Sequence, residues 1–277
     1  MPEEFAKING LEICYEVIGD GEPLLLLHGF AMYKEFWIAQ KKPISNKLKI
    51  ITMDLRSCGK STHVKNPFSL IDLVEDVKSL IKYLGIESIN LAGHSLGGMI
   101  AQQFALKHPE KLNKLILLGT LAKFPGDKSG VEMYIRNQLL NLKLKNEDFE
   151  NAFLNKMKLR FTRPFFKKLV ENPSKKIYDF FSLDDLKKFE KSNTCTETDI
   201  TYLGHAMAEH DCSESLSKIK SETLILAGKK DKFIPILNSE FIHEKIPKST
   251  LKIFSGDHFF PLENAPDVND AILNFII

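Results

Sequence analysis

The stretch LAGHSLGGMIAQQFALKHP, Leu91 to Pro109, sets one serine, Ser95, between Gly93 and Gly97, after an apolar run and ahead of a helix-forming segment. A G-x-S-x-G spacing between a strand and a helix predicts a tight turn in which the central residue is strained and both flanks must be small. The hydroxyl then projects above the sheet, beside a helix N-terminus whose amides and dipole favour a developing negative charge. A serine hydroxyl is a poor nucleophile near neutral pH until a base takes its proton, and that base needs an acid to orient it. A histidine and a carboxylate are therefore expected past later strands. In LILAGKKDKFIP, Asp231 falls just past an apolar run, and in LKIFSGDHFFPLENAP, His258 falls just past the next. Ser95, Asp231 and His258 are the candidate set for acyl transfer. Asp257 adjoins His258, but a residue seldom folds back onto the ring of its own neighbour, so Asp231 is preferred.

The elements that must hold these residues read from the apolar pattern. Leu24 to Leu27, Ile50 to Met53, Ile89 to Ala92, Leu115 to Leu118, Thr223 to Ala227 and Leu251 to Phe254 have strand length without polar alternation. Such strands suit a parallel sheet covered on both faces. Phe5 to Ile8 and Glu12 to Val17, joined across Asn9-Gly10, predict a leading antiparallel hairpin. SLIDLVEDVKSLIKYLG has the three-four spacing of a helix packed on a sheet, with Ser69 as N-cap, Asp72 in the first turn and Gly85 past the end. A second helix is expected from about Gly97 to Lys107, and the alternation predicts an α/β doubly wound, mostly parallel sheet. Between about Leu121 and Lys220 successive helical segments follow with no strand between them. The expected organisation is a core of residues 1–120 and 221–277 with a helical cap, residues 121–220, inserted over one edge of the sheet.

Composition narrows the partners. A chain of 277 residues with 43% hydrophobic and 27% charged residues builds a sizeable core, and a formal charge of +2 gives no reason to propose nucleic acid or an anionic membrane surface. RPFFKK and PSKK are interleaved with acidic residues and read as solvated helix faces. Cys14, Cys58, Cys195 and Cys212 lack metal or CxxC spacing. The N-terminal stretch opens acidic without an apolar signal core, and no apolar run reaches about 18 residues, so the expected location is cytoplasmic, with no membrane span.

Five pieces in order carry a family resemblance: LLLLHGF at Leu24 to Phe30, MDLRSCGKS at Met53 to Ser61, GHSLGG at Gly93 to Gly98, Gly228 to Asp231 with Pro235 after it, and GDH at Gly256 to His258. Together they resemble the α/β-hydrolase fold, serine-nucleophile branch, over nearly the whole chain. The resemblance implies Ser95 as nucleophile, His258 as general base and Asp231 as the acid that fixes its tautomer. It implies an oxyanion hole from the backbone N–H groups of Phe30 and Leu96, with Gly93, His94, Gly97, His28 and Gly29 supporting the turns. No metal or organic cofactor is implied.

The sequence departs from the family pattern at Ser57, where glycine is usual and a local backbone adjustment is expected, and after Gly29, where no further glycine follows. Asp54 is expected to tie its loop to Arg56, His210 and Asp211 to lie at the surface, and Trp37 to pack beneath the cleft. Phe165-Phe166 and Phe180-Phe181 either line the pocket or pack the cap helices. The C-terminal GDHFFPLENAPDVNDAILNFI resembles small carboxylesterases and 3-oxoadipate enol-lactonase-like hydrolases, pointing to a small-molecule ester or lactone as substrate. The same triad also serves C–C bond hydrolases, thioesterases, proline aminopeptidases and cofactor-free haloperoxidases or perhydrolases, and a receptor-like protein with slow turnover is a further alternative.

Overall fold

The computed structural model describes residues 3–277. Strands β1 (Glu4–Ile8) and β2 (Leu11–Ile18) form the leading hairpin, followed by β3 (Pro23–Leu27), helix α1 (Ile38–Ile44) and β4 (Lys49–Met53). Helix α2 (Leu70–Tyr83) leads to β5 (Ile89–His94), α3 (Leu96–Lys107) and β6 (Leu112–Leu118). Five helices then follow, α4 (Lys128–Glu147), α5 (Phe149–Arg160), α6 (Arg163–Glu171), α7 (Leu183–Ser192) and α8 (Glu197–Ala208). The chain returns through β7 (Glu222–Gly228), α9 (Ile236–Lys245), β8 (Ser249–Phe254), α10 (Phe260–Glu263) and α11 (Ala265–Ile276). Local signals account for the boundaries: α2 begins in a capping box in which Ser69 and Asp72 satisfy each other's backbone N–H, and Gly85 after its end takes a left-handed φ of 67°.

One eight-stranded sheet runs in the order β1-β2-β4-β3-β5-β6-β7-β8. β2 pairs antiparallel with β1 and β4, and every pairing from β4 across to β8 is parallel. The apolar runs are explained by burial on two faces at once. Leu25, Leu27, Leu91, Leu115 and Leu117 meet α2 and α3, while Leu24, Leu26, Ile116 and Leu118 join a second core with α1 and α11. The order reverses at β3, which has β4 on one side and β5 on the other, so the loops after β3 and β5 diverge from a crevice at the C-terminal strand ends. That position is where ligands bind in open α/β sheets. No helix among the described residues is long and apolar enough to cross a membrane.

Candidate active site

Ser95 sits between the last residue of β5 and the first of α3, with φ 55° and ψ −118°. A non-glycine residue held there costs about 1–3 kcal/mol, and it persists because its surroundings leave no alternative. A Cβ added to Gly93 would come within 2.1 Å of the Gly97 carbonyl oxygen, and one on Gly97 within 2.4 Å of the Leu27 carbonyl oxygen. Both glycines are therefore steric necessities of the turn. The Ser95 N–H donates to Leu118 O (3.0 Å), and Thr120 Oγ1 donates to Ser95 O (2.8 Å), pinning the elbow to β6. From Ile89 to Ile100, Ser95 alone is not buried.

Asp231 and His258 follow β7 and β8, and they meet. His258 Nδ1 lies 2.7 Å from Asp231 Oδ2, so Nδ1–H donates to the carboxylate and Nε2 is left with its lone pair. The other oxygen of Asp231 accepts from the N–H groups of Phe233 (2.9 Å) and Ile234 (2.8 Å), which fixes the acid before it orients the base. Asp257 is turned elsewhere: it accepts from the backbone N–H of His258 (2.8 Å) and from Lys232 Nζ (2.7 Å), with no bond to the imidazole. Neither Ser95 Oγ nor His258 Nε2 hydrogen-bonds to another described residue. Their neighbourhood is set by His94, which precedes Ser95 and whose ring centroid is 4.7 Å from that of His258, and by Gly29, whose added Cβ would lie 3.3 Å from Ser95 Cβ.

The two remaining histidines near the site hydrogen-bond to its loops. His28 Nδ1–H donates to Gly29 O (2.8 Å) while its Nε2 accepts from Leu55 N–H (3.1 Å), which uses both nitrogens in one neutral tautomer. His94 Nε2–H donates to the carbonyl of His258 (3.0 Å), joining elbow to histidine loop. Burial pushes His28 below the ordinary histidine range and His94 well below it, so neither charges readily. Phe30 follows Gly29, and its N–H has no backbone partner; Leu96 opens α3, where an N–H has no preceding helical turn to donate to. Met32 N–H closes that loop onto Gly29 O at 3.3 Å, with Ala31 at φ 50°.

Other expectations fare differently. Trp37 is fully buried beside Phe36, whose ring stacks on His94 at 4.5 Å, as core packing beneath the site. Phe165 and Phe181 are buried in the second core, so they pack helices. Asp54 does not bind Arg56. It accepts from the backbone N–H groups of Lys34 and Lys60, whereas Arg56 forms a fork with Asp76 (2.6 and 2.7 Å), because α2 brings a buried carboxylate closer to the guanidinium. His210 is not at the surface: it is buried, its Nε2–H donating to Leu121 O at 3.0 Å, since α8 returns to the sheet at this point. Ser57 itself takes φ 60°, so the loop keeps a glycine-like conformation with a serine whose Oγ accepts from Val64 N–H.

A cavity of about 180 Å³ is lined mainly by α4 and α5, with Ala31 and Phe233 contributed by the loops after β3 and β7. Arg160, at the end of α5, projects its guanidinium over the Phe233 ring at 3.8 Å, and that ring lies 5.4 Å from the His258 ring. Neither residue carries a sequence signal for this placement, which arises only from the packing of α5 on the loop after β7. Glu3, Glu16 and Glu35 converge closely enough to share a cation, but Lys34, Lys41 and Lys60 already pair with them.

A sheet switching direction at β3, a strained serine at the β5–α3 turn and an Asp–His pair on the next two strand ends define a hydrolase of the α/β type. The family model for the alpha/beta hydrolase fold matches residues 22–265, and the chain belongs to that family. It is 28% identical over 283 aligned positions to the 2-hydroxy-6-oxononadienedioate/2-hydroxy-6-oxononatrienedioate hydrolase of Escherichia coli K12, covering 96% of this chain and 91% of that protein. The fold also matches a thermophilic esterase from Thermogutta terrifontis (TM-score 0.83, 24% identity, 100% and 98% of the two chains) and the enol-lactonase of Burkholderia xenovorans LB400 (TM-score 0.82, 18% identity, 99% of each).

Proposed function

We propose that this enzyme is a serine hydrolase that cleaves a small carboxylic ester or lactone through an acyl-enzyme on Ser95. The observation that carries the reading is the 2.7 Å bond between Asp231 and His258 Nδ1, which leaves Nε2 as the basic nitrogen at the strand ends beside the Ser95 elbow. As substrate enters, Ser95 Oγ attacks the acyl carbonyl and passes its proton to His258 Nε2. The oxyanion is held by the N–H groups of Phe30 and Leu96. His258 then returns the proton to the departing alkoxide, and the same residue activates water to release the acid. Removing a single oxyanion donor from such a site costs about 10²–10³ in kcat, so two unpaired amides are a substantial part of the rate. Residues 121–220 serve as the cap, residues 1–120 and 221–277 as the catalytic core. The names of the relatives, an esterase and an enol-lactonase among them, agree with ester or lactone chemistry. Four unpaired cysteines, three of them buried, support a cytoplasmic location.

The test is hydrolysis of a short acyl p-nitrophenyl ester series by the wild type and by Ser95→Ala over many turnovers. The expected result is sustained release abolished in the variant. Release of no more than one equivalent by the wild type, or an unchanged rate in Ser95→Ala, overturns the reading.

A further inference from the structure

We propose that Arg160 binds a carboxylate carried by the substrate, so that the preferred esters or lactones are monoanions; this rests on the serine-hydrolase reading for its turnover and on Arg160 alone for its binding. Arg160 is fixed beside the reaction centre by its own backbone. Its carbonyl accepts the N–H of Phe259 at 3.0 Å, so the last turn of α5 is tied to the residue after His258. The guanidinium lies 3.8 Å from the centroid of Phe233 and 5.7 Å from that of Phe259. Phe233 neighbours both this guanidinium and the His258 imidazole, whose ring centroid is 5.4 Å from its own.

Stacking engages only the face of the guanidinium, while its five N–H donors lie along the edge. None of them meets a hydrogen-bond acceptor among the described residues, and no carboxylate stands within ion-pair distance. Every nearby acid is already committed. Glu190 faces Lys156 at 2.7 Å and Lys145 at 3.7 Å, Asp231 holds His258 and two backbone amides, and Asp257 holds Lys232. Around the cavity there are thus three cations, Lys145, Lys156 and Arg160, against the one carboxylate of Glu190. Burial pulls Arg160 below the ordinary arginine value, and the more distant negative charges of Asp231, Asp257 and Glu190 offset that desolvation only in part. It remains protonated at neutral pH. A planar carboxylate supplies two oxygens to that fork, in a half-buried setting where a charge-assisted pair is stronger than at an open surface.

A purely structural Arg160, closing α5 over the histidine loop, would affect charged and neutral substrates alike. The experiment compares kcat/KM for monomethyl esters of succinate, glutarate, adipate and suberate with their dimethyl esters, and for acetyl esters of hydroxy acids with the methyl esters of those compounds, following acid release by pH-stat. In the wild type the monoanion is expected to be preferred in one series. Arg160→Gln should lower the monoanion-to-neutral ratio by about 10- to 100-fold, chiefly through KM, and Arg160→Lys should restore part of it. A ratio unmoved by Arg160→Gln in both series overturns the proposal, as does a proportional fall in both rates. Calorimetric binding of the same monoesters to Ser95→Ala, with and without Arg160→Gln, separates the two claims. Arg160-dependent binding without wild-type turnover sinks the serine-hydrolase reading alone, and turnover without charge preference sinks this inference alone.

Discussion

In the proposed mechanism His258 accepts a proton from Ser95 in only one tautomer, and the Asp231 carboxylate favours that tautomer by accepting the Nδ1–H hydrogen bond. Asn at 231 keeps the shape but offers an amide that also stabilises the opposite tautomer. Asp231→Asn is therefore expected to lower kcat by about 10⁴-fold with the far-UV circular dichroism unchanged. Asp257→Asn, which touches the histidine only through its backbone N–H, should lose no more than about tenfold, the scale of one hydrogen bond. Steady-state assays on the two variants check this, and equal losses would show that both acids orient the ring. That Asp231 and His258 come together was legible in the sequence because each follows an apolar run of strand length. The place of Arg160 beside them was not, because its neighbours Phe233 and Phe259 lie some seventy to a hundred positions along the chain and no local pattern joins them.

At the scale of elements, legibility follows burial. Strands apolar on both faces and a helix with three-four spacing announce themselves, since their environment is uniform along their length. Returning segments do not, and the junction of α8 with the sheet is the example: His210 sits in a stretch with ordinary surface composition yet is buried, with Phe124 N–H donating to its carbonyl at 2.8 Å and its own ring donating to Leu121 O. Burial, opposed by the bond to Leu121, lowers its pKa from 6.5 to about 4. The folded state thus resists binding a proton that the unfolded chain takes up near pH 6.5. The contribution to stability is complete above that pH and is lost as pH falls towards 4. Urea titrations at pH 7 and pH 4.5 should show the wild type losing about 2 kcal/mol more than His210→Gln over this interval. Equal losses would mean that the imidazole is free to charge in the folded protein.

Across the whole molecule, the inserted helices share their apolar contacts with the sheet. Phe153, Met157, Phe161 and Phe165 lie in one core with Trp37, Phe259, Phe260 and α11, and Phe161 packs on Phe259 at 5.6 Å between ring centroids. Polar links reinforce this seam: Thr162 N–H and hydroxyl both donate to Glu263, and Tyr178 OH donates to the Glu263 carbonyl at 3.0 Å. A helical layer fastened in this way has no apolar face of its own to keep once the sheet melts. The two parts are therefore expected to unfold together, although a chain of 277 residues is long enough for separate steps. Trp37, the only tryptophan and fully buried in the shared core, reports on the sheet side, while far-UV circular dichroism is weighted towards the helices. In urea the two signals should give coincident transitions. Phe161→Ala, a change within the insertion, should remove about 3–5 kcal/mol and shift both transitions to the same lower midpoint. If the circular dichroism curve divides, or the Trp37 transition stays where it was, the insertion unfolds independently and the shared core does not couple them.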